Sequence, residues 1–445
     1  MTAASDATAP VMAASDATVP VTAASDATAT WGAVREVVRE VGALFAHGVG
    51  DRADLPIPLF YAYAGALAAL VVSFLALGLL WADSRFRGDR AGVPLNLRLP
   101  ARPLRVLTLL AAAYTVGWLL FGPESPNAGA YLIYVLFWVG LIPASLLFGP
   151  VWRLLNPLRL LPDRARRPLP PRLGYWPAAL GLLAFTWMEL VAPEPAAPAT
   201  LLAFLALYAA AQITGTLRYG HAWLERGDPF EVYSTLAGQL APLGRRADGV
   251  LVLRGPFDGL DAIQPAPGLV ATVCVLLGST GYDGFSTSPA WVDALQSGPL
   301  GRTGLGTAGL LAAIAAVALL YGSCLWLAGR IGGARGLAPR FAHSLVPIAI
   351  GYLIAHYFSL LVIEGQRAII LSLGLDAEVD RELVSAPVIA TVQVLAIVAG
   401  HVAGVVAAHD RSVRLLPPAR AVAGQIPLFV LMLCYTLGGL TLLLA

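Results

Sequence analysis

Residues 341–364 read FAHSLVPIAIGYLIAHYFSLLVIE, from Phe341 to Glu364. As a helix this stretch spans roughly 36 Å, enough to cross the ~30 Å hydrocarbon layer of a bilayer, and it meets no carboxylate before its last residue. It reads as a transmembrane helix. Working outward, nine further apolar stretches of the same kind appear at 58–81, 104–121, 129–149, 175–192, 199–217, 266–282, 306–327, 386–409 and 421–444. The sequence therefore predicts an all-α protein, a polytopic transmembrane helical bundle of about ten spans. With 58% hydrophobic and 13% charged residues and a mean hydropathy of +0.72, a string of soluble domains is excluded. All 29 basic residues are Arg, a compositional bias that does not single out a basic face, so no nucleic-acid partner is expected.

Arginine placement sets the orientation. If the first span runs from outside to inside, the inner loops and their margins carry 23 arginines against 6 outside, while the carboxylates divide as 10 inside and 17 outside. Inner loops of multispanning proteins retain Arg, so both termini are expected to be extracytoplasmic, in a bacterial plasma (inner) membrane. The bilayer itself is the first expected partner.

Residues 1–30 hold three near-copies of a decamer, seen in Ala4-Ser5-Asp6-Ala7-Thr8 and repeated from Ala14 and Ala24. So little apolar surface cannot offset chain entropy, and a disordered tail is expected; the segment lacks the basic and apolar regions of an ordinary signal peptide. Residues 31–57 follow as an amphipathic segment, with Trp31, Val34, Val38, Val41 and Phe45 opposite Arg35, Glu36, Arg39 and Glu40. The bundle occupies 58–445. Its largest inner loop, 218–265, should hold one small hairpin at Asp248-Gly249. After the third and fifth spans, Gly149-Pro150-Val151-Trp152 with Asn156-Pro157 parallels Gly220-His221-Ala222-Trp223 with Asp228-Pro229. Duplication of a helical hairpin accounts for this; so do ordinary Trp and Arg anchors at a membrane boundary.

Ionisable groups within a bilayer are costly and need a partner, water or a function. Helical rise places His356 and Gln393 at similar depth in the outer half, His401 below the middle, and His343 and His409 near the inner boundary. That difference in depth disfavours a haem between His356 and His401. Asp283, flanked by Gly281 and Gly284, lies at the outer end of the sixth span; Glu189, Glu364 and Gln366 lie toward the same face, and His47 and Asp54 precede the first span on that side. Asp283 and His356 are the candidate catalytic residues. His47, Asp54, Asp283 and His356 are candidate ligands for a divalent metal. Glu189 and Glu364 read as headgroup carboxylates, and Asp283 alternatively as a turn or helix cap. Gly400 and Gly404 form a GxxxG that marks a close helix contact, and Pro347 marks a kink or break below His356. Cys274, Cys324 and Cys434 lack the spacing of a thiolate zinc site or disulfide framework.

Several of these blocks together carry a resemblance: His47-Gly48-Val49-Gly50-Asp51, Tyr134-Val135-Leu136-Phe137-Trp138, Trp152-Arg153 with Asn156-Pro157, Asp228-Pro229-Phe230, Tyr282-Asp283-Gly284-Phe285, and His401 with His409-Asp410-Arg411. From about residue 46 to the C-terminus the chain resembles an actinobacterial polytopic membrane family labelled fenitrothion hydrolase. It departs from that pattern at the N-terminus, where the decamer repeats stand in place of a signal-like segment. The resemblance implies phosphotriester hydrolysis and brings no established catalytic set with it. Three functions follow as expectations. One is metal-assisted hydrolysis of a small lipophilic phosphotriester at the outer face. Another is transport of an ion, a proton-coupled solute or a small molecule. The third is a non-catalytic metal-handling or assembly role centred on His47.

Overall fold

The computed structural model describes residues 59–90, 92–95, 97, 99–245 and 249–444. The decamer repeats, the segment 31–57, His47 and Asp54 lie outside the described residues. The chain is an all-α polytopic bundle, and among the described residues nine helices are long and apolar enough to cross a membrane. In chain order the helices are α1 (Leu59–Leu80), α2 (Ala101–Phe121) and α3 (Ala128–Phe148), whose middle, Leu132–Val139, winds as a wider π-helix; short α4 (Val151–Leu155); α5 (Trp176–Leu190); α6 (Pro198–Tyr219); short α7 (His221–Gly227), α8 (Pro229–Gly238) and α9 (Pro256–Asp261); then α10 (Leu269–Ser286), α11 (Pro289–Ser297), α12 (Gly301–Gly332), α13 (Leu337–Leu373), α14 (Ala386–Leu415) and α15 (Ile426–Leu444).

Helix α5, the fourth of the expected spans, is the short one. At 15 residues it rises only about 22 Å, less than the hydrocarbon thickness. Its two ends nevertheless lie level with those of its neighbour α10. At one end Tyr175 donates its N–H to the Pro267 carbonyl at 2.7 Å; at the other, Val191 packs in one buried cluster with Tyr282. Helix α5 thus runs parallel to α10 over the same depth, and the chain reverses on both sides of it.

All five Arg-bearing loops meet at one end of the bundle. Arg166 and Arg167 donate to the Arg218 carbonyl at 3.0 Å, and Arg411 reaches the Arg340 carbonyl at 3.1 Å and Asp261 at 2.7 Å. Strands β1 (Val93–Pro94), β2 (Leu243–Arg245) and β3 (Leu251–Leu253) form a three-stranded antiparallel sheet in the order β1-β3-β2, with Val93 opposite Leu253 and Gly244 opposite Val252. The inner loop 218–265 therefore carries its hairpin, turned at left-handed Gly249 (φ 83°), together with α7, α8 and α9. Asp410 ties the end of α1 to α14: its carboxylate accepts from Ser84 Oγ at 2.8 Å, from the Arg85 and Phe86 N–H groups at 2.6 and 3.3 Å, and from Arg414 at 3.0 Å.

Helices α13 and α14 cross in close backbone contact. A Cβ on Gly400 would lie 2.5 Å from the Pro347 carbonyl oxygen, and one on Gly404 2.8 Å from that of Ser344. The GxxxG face thus seats directly on the turn containing Pro347. The expected break is not formed: α13 continues through Pro347 from Leu337 to Leu373.

Candidate functional site

Asp283 and His356, expected from depth alone, are joined. His356 Nε2–H donates to Asp283 Oδ2 at 2.8 Å, and the Tyr357 hydroxyl donates to the same oxygen at 3.0 Å. Asp283 lies inside α10 rather than in a turn beyond it, so the capping reading is corrected. Gly278 in the same helix lets α12 approach closely: a Cβ there would stand 2.6 Å from the Ile314 backbone. Asp283 and His356 are each 3% exposed within the protein, so the network lies in packed protein between α10 and α13, in the half away from the arginines.

A second carboxylate adjoins it. Glu189, near the end of α5, is 4% exposed and close enough to Asp283 for their charges to interact. Its expected place among lipid headgroups is therefore corrected. Four tyrosines complete the surroundings: Tyr134, Tyr233 and Tyr357 lie in the field of Glu189, and Tyr352 in that of Asp283. Tyr134 donates to the Pro195 carbonyl at 2.8 Å. Among the described residues, the Tyr233 hydroxyl, the Tyr352 hydroxyl and Glu189 Oε2 are buried without a hydrogen-bond partner. Trp138, in the π-helical part of α3, stacks on Tyr233 at 4.3 Å between ring centroids.

The other candidates are elsewhere. His401 Nδ1 turns back to its own helix, 2.8 Å from the Ile397 carbonyl oxygen; His409 is held 3.1 Å from Gln425 and 2.9 Å from the Trp81 carbonyl oxygen. Glu364 pairs with Arg367 at 3.1 Å, one helical turn away, and Gln366 binds the backbone of Asp380 at 2.9 and 3.1 Å. Among the described residues no group of three or more His, Cys, Asp or Glu side chains is arranged to hold a metal ion.

A second polar centre lies where the two Trp-loops meet. Gly149 and Gly220 have φ of 77° and 68°, and each turns its chain back into a short helix, α4 or α7. The Asn156 side chain then accepts from Leu158 N–H at 3.0 Å, as Asp228 does from Phe230 N–H at 3.0 Å, so both residues cap the segment that their proline begins. The caps bind each other: Asn156 Nδ2 donates to Asp228 at 2.8 Å and to Glu231 at 3.0 Å. Arg159 donates through Nε to Glu231 at 2.9 Å and closes a bidentate pair through Nη2; Tyr208 donates to Asp228 at 3.1 Å. Arg153–Glu225, Asn156–Asp228 and Arg159–Glu231 are all 72 positions apart, the offset between the two Pro residues. Equivalent positions of the two copies face one another, the arrangement that a duplicated hairpin packed about a local two-fold axis produces. The sequence signal was the repeated Asn-Pro and Asp-Pro; Glu231 and Arg159 carried none.

No family model matches the chain, and no curated protein and no solved structure matches it.

Proposed function

We propose that this multi-pass membrane protein is a proton transporter, with Asp283 and His356 as its intramembrane proton-binding pair and Glu189 as the neighbouring carboxylate. One observation carries the reading: an imidazole and a carboxylate hydrogen-bonded at 2.8 Å, buried between spans beside a second buried carboxylate. Groups that stay charged in a bilayer are expensive, whereas groups that exchange a proton can alternate between cheaper states as the path opens to either side. Two carboxyl groups and one imidazole form a set that changes net charge by gaining or losing one proton. Tyr357 orients the shared oxygen. A proton fits a closely packed site; an ion with its hydration shell or a phosphotriester needs added room.

Purified protein in liposomes containing a pH-sensitive dye tests this directly. After an external acid step the wild type should acidify the lumen, and Asp283→Asn should slow this on the order of a hundredfold, the usual weight of one positioned proton-transfer group. Equal rates would sink the proposal. The hydrolytic reading implied by the family resemblance makes a different prediction: turnover of a chromogenic phosphotriester that depends on added divalent metal and is lost in His47→Ala as well as Asp283→Asn.

A further inference from the structure

The inner end of α12 carries a pattern that the proton site does not use. Gly322, Leu325, Trp326, Gly329, Arg330 and Gly333 recur at spacings of three and four, so they share one helical face. Together with Arg335, Gly336 and the start of α13, that face lines a hollow of about 610 Å³. Glycine makes the room: a Cβ on Gly322 would meet no other atom within 4 Å. Leu325 is buried, whereas Trp326 is 66% exposed. Left-handed Gly333 (φ 76°) and Gly336 (φ 65°) turn the chain from α12 into α13, which keeps Arg335 on the same hollow as Arg330. Gly322 and Arg330 lie about 12 Å apart along the helix axis. The hollow therefore runs from the apolar span up to the arginine-bearing end.

Its inner limb is cationic. The Arg330 guanidinium lies over the Trp326 ring, 5.7 Å from the centroid, and the Arg420 guanidinium stands beside Gly333, 3.3 Å from where a Cβ would lie. Among the described residues no Asp or Glu lines the hollow. The inner carboxylates Asp261 and Asp410 are taken by Arg411 and Arg414, and among the described residues none pairs with Arg330, Arg335 or Arg420. The larger cleft around Arg85 and Arg87 differs. It is lined by Asp89 and Asp258 as well, and Asp258 pairs with Arg90 at 3.3 Å.

We propose that the hollow binds an anionic phospholipid of the inner leaflet, with its phosphodiester on Arg330 and Arg335 and its glycerol and upper acyl chains along Gly322, Leu325 and Trp326. Guanidinium groups hold phosphate oxygens through paired N–H donors, and basic pockets between spans on the cytoplasmic side suit such headgroups. A free phosphate would engage the arginine limb alone. A lipid fills both limbs, and it arrives at the depth where an exposed Trp meets the cationic wall. The site stands apart from the Asp283–His356 pair and does not depend on what that pair does.

Native mass spectrometry of the full-length protein in mild detergent, titrated with phosphatidylglycerol or phosphatidylcholine, tests the assignment. The wild type should hold phosphatidylglycerol about tenfold more tightly than phosphatidylcholine, a preference that Arg330→Gln combined with Arg335→Gln should remove. Both arginines are exposed, so the fold is kept. Gly322→Leu puts a better helix former into open space and fills the apolar limb, and should weaken phosphatidylglycerol about tenfold. Arg87→Gln, in the other cleft, should behave as wild type. Equal retention of the two lipids, or an undiminished preference in the double variant, overturns the proposal. Displacement of the lipid by millimolar inorganic phosphate, with wild-type affinity in Gly322→Leu, would assign the arginines to a free anion and overturn it equally.

Discussion

Asp283 gathers two hydrogen bonds on a single oxygen, from His356 and Tyr357, and those donors separate orientation from proton exchange. Tyr357→Phe removes the 3.0 Å bond and leaves the imidazole, so it should lower stability by about 1–2 kcal/mol in detergent unfolding while retaining measurable proton flux. His356→Ala leaves Asp283 without its exchanging partner and should abolish flux; a fully active His356→Ala protein would refute the pairing. Depth along a helix was legible in the sequence, because a rise of 1.5 Å per residue follows from residue number alone. That identified Asp283 and His356. Angle around the bundle was not legible, so Gln393 looked as good a partner for His356 as Asp283, and Glu189 read as a headgroup residue. Tyr233 gave no sign at all, since a tyrosine beside a loop earns its role only from the elements packed around it.

Helix α14 is held at both levels by contacts that tolerate little change. Gly400→Val places side-chain atoms against the Pro347 carbonyl oxygen and should destabilise the bundle by roughly 1–3 kcal/mol, read as earlier thermal aggregation. Asp410→Ala strands the Ser84 hydroxyl and two backbone N–H groups and should cost about 3 kcal/mol, more than a surface ion pair would. The two inner clusters respond to pH with opposite sign. Asp228 is raised in the fold, so its contribution is complete below its ordinary value of 3.8 and is lost as pH rises through about 7. Asp261 is lowered: burial alone would push it up, but the Arg414 hydrogen bond, the Gly88 N–H and the Arg411 charge outweigh that. Its contribution is present at neutral pH and fades as pH falls below 3.8. Thermal unfolding between pH ~5 and ~8 should therefore show a fall in wild-type stability that Asp228→Asn lacks; parallel profiles would contradict the assignment. The GxxxG contact was readable because small residues at that spacing have one main use in apolar helices. Continuity of α13 through Pro347 was not, since a proline in an apolar helix can either end it or be carried within it.

The molecule as a whole is a bundle whose arginine-bearing loops converge at one end and whose Asp283–His356 pair lies in the half toward the other. Ten apolar stretches and an arginine count sufficed to read this architecture, because hydrocarbon thickness and charge retention act on sequence directly. Helix α5 shows where that logic thins: too short to span the hydrocarbon by its own length, it lies level with its parallel neighbour α10. A cysteine placed at position 165 should resist an impermeant thiol reagent on intact cells, and one at position 377 should react. The most direct measurement is the transient current on a solid-supported membrane after a pH step, which registers protons entering a buried site before any complete turnover. Wild-type protein should give a charge displacement that saturates with acidity, and Asp283→Asn should give none at equal protein density. An undiminished displacement in Asp283→Asn would contradict the claim that this pair takes up the proton.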